Sequence, residues 1–91
     1  MHGEYKVPGG KLVVADLRVH NGLLTDVRIS GDFFLEPPEA LDAINHALSG
    51  LPAEADEAQL SEAVARALPA DAELFGFSPD AVAVVVRRAL A

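Results

Sequence analysis

Ninety-one residues suffice for one domain with a modest core, burying about 60–65% of the surface that the unfolded chain exposes. The chain has no cysteine, which excludes a disulfide scaffold, a thiol nucleophile and a cysteine-ligated zinc or iron–sulfur centre. A net charge of −7 makes nucleic acid and anionic membranes poor partners, and an apolar content of 51% argues against disorder.

The charge is unevenly divided. In residues 1–31, Lys6, Lys11, Arg18 and Arg28 outnumber Glu4, Asp16 and Asp26 by one, whereas beyond residue 31 only Arg66, Arg87 and Arg88 offset eleven acids. Most of those acids read as solvated helix surface. The start, Met1-His2-Gly3-Glu4-Tyr5-Lys6, lacks the basic and apolar regions of a signal peptide, and no apolar run is long enough to span a bilayer. The expected location is the cytoplasm.

The first third reads as strand. Glu4–Val7 is a short strand candidate ahead of Pro8-Gly9-Gly10, whose residues suit a tight turn. From Lys11 to Val19 apolar residues alternate, with Val13, Ala15, Leu17 and Val19 opposite Asp16, Arg18 and His20. Leu23, Val27 and Ile29 form a similar apolar face on the next segment, and Asn21-Gly22 between the two marks a hairpin. A two-residue turn would set Leu17 against Asp26, so the polarity pattern argues against it. A three-residue loop pairs Val19 with Leu23 and Val13 with Ile29. A shift of two keeps the same faces and sets Arg18 against Asp26 and Asp16 against Arg28. Phe33-Phe34-Leu35 is a further short strand candidate, cut off by Pro37-Pro38.

The rest reads as helix. Pro38 suits a first helical turn, Leu41, Ile44 and Leu48 recur at helical spacing, and Gly50 is a stop. A second helix is expected from about Asp56 to Leu68, ended by Pro69. Ser78-Pro79-Asp80 supplies a cap, a first-turn proline and a first-turn acid for a third, with Val82, Val85, Val86 and Leu90 as its buried stripe. The β-branched run Val84-Val85-Val86 also suits a strand, but the cap and the terminal Arg87-Arg88 favour helix. The expected class is α+β: a small antiparallel sheet of two long strands and one short strand, packed on about three helices, with residues 1–91 as a single domain.

Few residues carry chemistry. His2, His20 and His46 are far apart and lack ligand spacing, and no serine sits in a nucleophile elbow. No metal or catalytic residue is therefore assigned. Lys6-Val7-Pro8-Gly9-Gly10-Lys11-Leu12 reads either as a glycine-permitted turn with solvated lysines or as a backbone that meets an anion supplied by a partner. It lacks the spacing and hydroxyl of a P-loop. In Gly31-Asp32-Phe33-Phe34 one phenylalanine belongs in the core, and the other cannot face the same side if the strand continues. An outward aromatic on so small a domain points to contact with another protein. Phe75 and Phe77, flanking Gly76, pose the same choice, with packing under a loop favoured.

These motifs, in the order hairpin, Gly-Asp-Phe-Phe, proline-marked helix start and helices, resemble the C-terminal accessory domain of lipoate-protein ligases. The matching residues are Lys6, Pro8, Gly9, Gly10, Lys11, Leu12, Gly22, Gly31, Asp32, Phe33 and Phe34, in the first half of the chain; the helical half matches by pattern only. In that family the domain is fused behind a catalytic domain or encoded as a separate small subunit. A chain that starts at Met1 and ends after one domain looks like the separate form.

The resemblance implies a non-catalytic subunit of a bipartite ligase that supports ATP-dependent activation of lipoate to lipoyl-adenylate and so protein lipoylation. The catalytic subunit would bind ATP, Mg2+ and lipoate, then pass the lipoyl group to a lysine of a carrier domain. Lys6, Gly9, Gly10 and Lys11 would lie on the nucleotide side, and Gly31, Asp32, Phe33 and Phe34 would dock the partner. The alternative is a stand-alone adaptor that binds lipoyl carrier domains. The family fold also resembles iron–sulfur scaffold proteins, whose cysteine chemistry is absent from this sequence.

Overall fold

The computed structural model describes residues 1–91. Strands β1 (His2–Lys6), β2 (Leu12–His20) and β3 (Leu23–Gly31) form an antiparallel sheet in the order β1-β2-β3. Two short strands, β4 (Phe34–Glu36) and β5 (Glu73–Phe75), pair separately. Helices α1 (Ala40–Leu48), α2 (Glu57–Ala67) and α3 (Pro79–Leu90) complete the chain. The class is α+β as expected. The second sheet is new, because β5 is too short to show an alternating pattern.

Alternation explains β2: Val13, Ala15 and Leu17 are buried while Asp16 and Arg18 are exposed. The hairpin departs from expectation. His20 opposes Leu23 and Val19 opposes Leu24, so the turn has two residues rather than three. Asn21 and Gly22 have φ of 52° and 77°, the left-handed values that primed hairpin turns require.

A bulge reconciles this turn with the core. Asp26, at φ 51°, is the extra residue on β3. Beyond it the pairing shifts by one, so that Ala15 opposes Ile29 and Asp16 opposes Arg28. That is the shifted register of the two expected from polarity. The expected Arg18–Asp26 pair is not made, because Arg18 opposes Thr25. Above the bulge the inward side is inverted. Leu24 is fully buried, whereas Leu23 is 43% exposed and Val19 is exposed too, which corrects their assignment to the core face.

One face of the three-stranded sheet carries the helices. α3 crosses β1 and β2, α1 lies against β3, and α2 packs on both other helices. Twenty buried apolar residues from sheet and helices form one cluster. At Gly3 the approach of β1 to α3 is close: a Cβ there would come within 2.5 Å of the Ala89 nitrogen and 2.8 Å of the Val85 carbonyl. β1 accordingly begins at His2, before the expected Glu4, and Val7 falls in the following turn.

Helix limits follow their caps. α1 starts at Ala40, two residues after Pro38, because the amides of Ala40 and Leu41 bond back to the Pro37 and Pro38 carbonyls in a lead-in turn. Asp56 and Gln59 form a capping box at α2, with bonds of 2.8 and 3.0 Å. Ser78 accepts the Ala81 amide at α3. Val82, Val85 and Val86 are fully buried among Ala81, Ala83 and Ala89, while Leu90 is half-buried. Arg87 and Arg88 do more than oppose the helix dipole. Arg87 donates to the carbonyls of Ala53 and Ala55, and Arg88 donates to that of Glu4 while lying 4.7 Å from the Tyr5 ring centre.

The outer edge of β3 is covered. Asn45 of α1 accepts the Ile29 amide at 2.9 Å through its side-chain oxygen. The segment after α1 continues the cover: Gly50 donates to Leu24, Leu24 donates to Leu51, and Ala53 donates to Gly22. No helix is long and apolar enough to cross a membrane.

The bulge makes adjacent leucines energetically unequal. Leu24→Ala is expected to lose about 2–5 kcal/mol of unfolding free energy, and Leu23→Ala about 0.5 kcal/mol or less, in urea denaturation. Equal losses would contradict the two-residue turn.

Candidate functional site

The two glycine motifs meet at one end of the molecule. In the β1–β2 turn Gly9 has φ 71°, Gly10 donates to the Val7 carbonyl at 2.8 Å, and Val7 donates to that of Lys11 at 3.0 Å. Lys11 donates its own amide to the Gly76 carbonyl at 2.8 Å, joining this turn to the segment between β5 and α3. On the other side, Asp32 donates its amide to the Leu12 carbonyl at 3.1 Å. Gly31 lies so close over Leu12 that a Cβ would collide with that carbonyl. Three segments distant in sequence are thus pinned around the first residues of β2.

The two lysines differ. Lys6 turns its ammonium back on its own loop, donating to Gly10 at 2.5 Å and to Val7 at 3.3 Å. Lys11 forms no side-chain hydrogen bond or ion pair, and its aliphatic stem lies over Gly76, whose φ is 87°. A side chain at Gly76 would collide with that stem. Lys11 is therefore an unpaired cation on a fixed base.

The aromatic residues divide cleanly. Phe33 is half-buried and stacks on Phe77, ring centres 4.0 Å apart. Phe34 is 72% exposed, and its cross-strand partner Phe75 is 48% exposed. Phe77 thus packs inside as the loop reading expects, while Phe75 does not. A groove of about 340 Å³ runs beside Phe34, lined by Gly31, Phe33, Pro38 and Leu41 among others. The sequence motifs omit Phe75 and Gly76, although Phe75-Gly76-Phe77 repeats the glycine-and-aromatic signature of Gly31–Phe34.

Elsewhere, an open depression of about 570 Å³ between β3 and α1 is lined by His20, Asp26 and His46 among others, and shares no residue with the groove. No group of three or more histidine and acidic side chains is arranged to hold a metal ion. His2 is exposed but engaged: its Nδ1 lies 2.7 Å from Asp16 and its Nε2 2.8 Å from Glu4.

No protein-family model matches the sequence, and no curated protein matches it significantly. The structure does find a counterpart, in a solved archaeal lipoylation system from Thermoplasma acidophilum, a bipartite lipoate protein ligase and its E2 lipoyl domain. This chain has the fold of a chain in that system. The two superpose over 96% of this chain and 98% of the other, with a TM-score of 0.67 and 22% sequence identity. The fold agrees with the family resemblance carried by the motifs.

Two outcomes follow from this geometry. Gly76→Ala is expected to cost about 1–3 kcal/mol in urea unfolding and to shift the Lys11 amide resonance, since it strains both the left-handed backbone and the lysine stem. The hydrogen bonds to Glu4 and then Asp16 hold the His2 pKa above the ordinary 6.5. Its stabilisation is fully present below that ordinary value and is lost as pH rises through the raised one. NMR titration should place the His2 midpoint above 6.5, and His2→Ala should abolish this pH-dependent loss.

Proposed function

We propose that this chain is the non-catalytic accessory subunit of a bipartite lipoate-protein ligase, needed when a separate catalytic subunit activates lipoate with ATP. The observation that carries this reading is the convergence of the two family-like motifs at one end of a fold shared with a chain of an archaeal lipoylation system. The matched chain is nearly coextensive with this one, which agrees with a small subunit. In this reading residues 1–91 act as one accessory domain, and the catalytic subunit holds ATP, Mg2+ and lipoate.

The chemistry asked of the domain is modest. Adenylation joins two anionic reactants, so it gains from a cover that excludes water, holds the reactants in place and brings fixed positive charge. Lys11 fits that role, with its amide on Gly76 and its ammonium unpaired. Lys6, Gly9 and Gly10 hold the turn that presents it, because the Lys6 ammonium is spent on the loop carbonyls. Gly31 and Asp32 set the start of the aromatic segment, Phe33 anchors it on Phe77, and Phe34 faces the partner. Lipoyl transfer to a carrier domain would then proceed on the catalytic subunit.

ATP–pyrophosphate exchange dependent on lipoate is expected only when both chains are present, whereas transfer from supplied lipoyl-adenylate should need the catalytic chain alone. Lys11→Ala should slow exchange about tenfold or more without changing the unfolding midpoint, about 1.4 kcal/mol of transition-state stabilisation. Equal exchange without this chain would sink the reading. Capture of apo carrier domains in place of a ligase would favour the adaptor instead, and a lipoyl mass shift on this chain would make it an acceptor.

A further inference from the structure

The β4–β5 ribbon has an outer face that is costly for an isolated chain. Its register sets Phe34 against Phe75, Leu35 against Leu74 and Glu36 against Glu73. Because strand side chains alternate, Leu35 and Leu74 turn to the core while both phenylalanines and both glutamates share the outer side. Two exposed aromatics thus sit beside two carboxylates placed directly opposite each other. Like charges in that relation destabilise a sheet. Neither glutamate has an ion pair or side-chain hydrogen bond to relieve it, since the ion pairs of this chain involve His2 and Arg66.

We propose that this face is a docking surface for a partner protein carrying an apolar socket for the Phe34–Phe75 pair and an arginine or lysine that bridges Glu36 and Glu73. The charges select among occupants. A second copy pressed against the same face would bring four carboxylates together, and an anionic membrane or nucleic acid would be repelled. A cationic side chain removes the repulsion and gains two charge-assisted hydrogen bonds, and guanidinium geometry suits two carboxylates. Adjacent aromatics closing over an apolar socket are the usual centre of an affinity hot spot. The proposal rests on the accessory-subunit reading for the partner's identity and adds the chemistry of its surface.

The test uses the purified full chain and the catalytic subunit of the ligase, with binding followed by calorimetry at two salt concentrations. Phe34→Ala and Phe75→Ala are each expected to weaken binding about tenfold or more. The doubly neutral variant E36Q/E73Q should also weaken it and flatten its salt dependence, yet leave the melting temperature of the isolated chain equal or higher. That opposition separates an interface role from a folding role. If the wild-type chain binds and all these variants bind within twofold of it, the docking face is overturned while the accessory reading stands. Failure of the wild-type chain to bind overturns the accessory reading and this partner with it. Self-association abolished by Phe34→Ala overturns the choice of a foreign partner in favour of a second copy.

Discussion

The backbone hydrogen bond from Lys11 to Gly76 joins two loops that lie far apart in the sequence. It ties the first residue after the glycine turn to the segment that leads from β5 into α3. Through it, the stem of Lys11 rests on a glycine that has no room for a side chain. The same end of β2 receives the Asp32 amide on the Leu12 carbonyl, so both motifs share one anchor. That anchor helps hold the lysine, the stacked Phe33–Phe77 pair and the β4–β5 ribbon in a fixed relation.

How much of this was legible depended on whether the signal was local. The limits of α2 and α3 were, because Asp56 and Ser78 cap at the positions their chemistry favours, and the valine stripe of α3 is buried as its spacing indicates. The hairpin was legible in part. Polarity left two registers, one of which holds the observed pairing of Asp16 with Arg28, while Asn21-Gly22 signalled the two-residue turn, and the two signals conflicted. A bulge satisfies both, but its residue is an aspartate at a glycine-like angle, which no alternation rule marks. Leu23 was assigned inward for the same reason.

For the candidate site, the sequence motifs singled out the lysines and aromatics without showing their surroundings. That Lys6 folds back on its loop while Lys11 stays unpaired depends on carbonyl directions set by the turn. That Phe33 packs inward and Phe34 outward depends on Phe77, more than forty residues away. Strand β5 escaped detection because three residues are too few for periodicity, and with it went the pairing of Phe75 with Phe34. Tertiary contacts made those assignments.

The covering of β3 has a consequence for how such a chain meets other molecules. With Asn45 and the Gly50–Ala53 stretch occupying its margin, that strand has little main-chain valence left for recruiting a further strand. Association on that flank must be written in side chains, whose shapes and charges discriminate, instead of in peptide groups that are alike in every polypeptide. A crowded cell then offers it few accidental companions there.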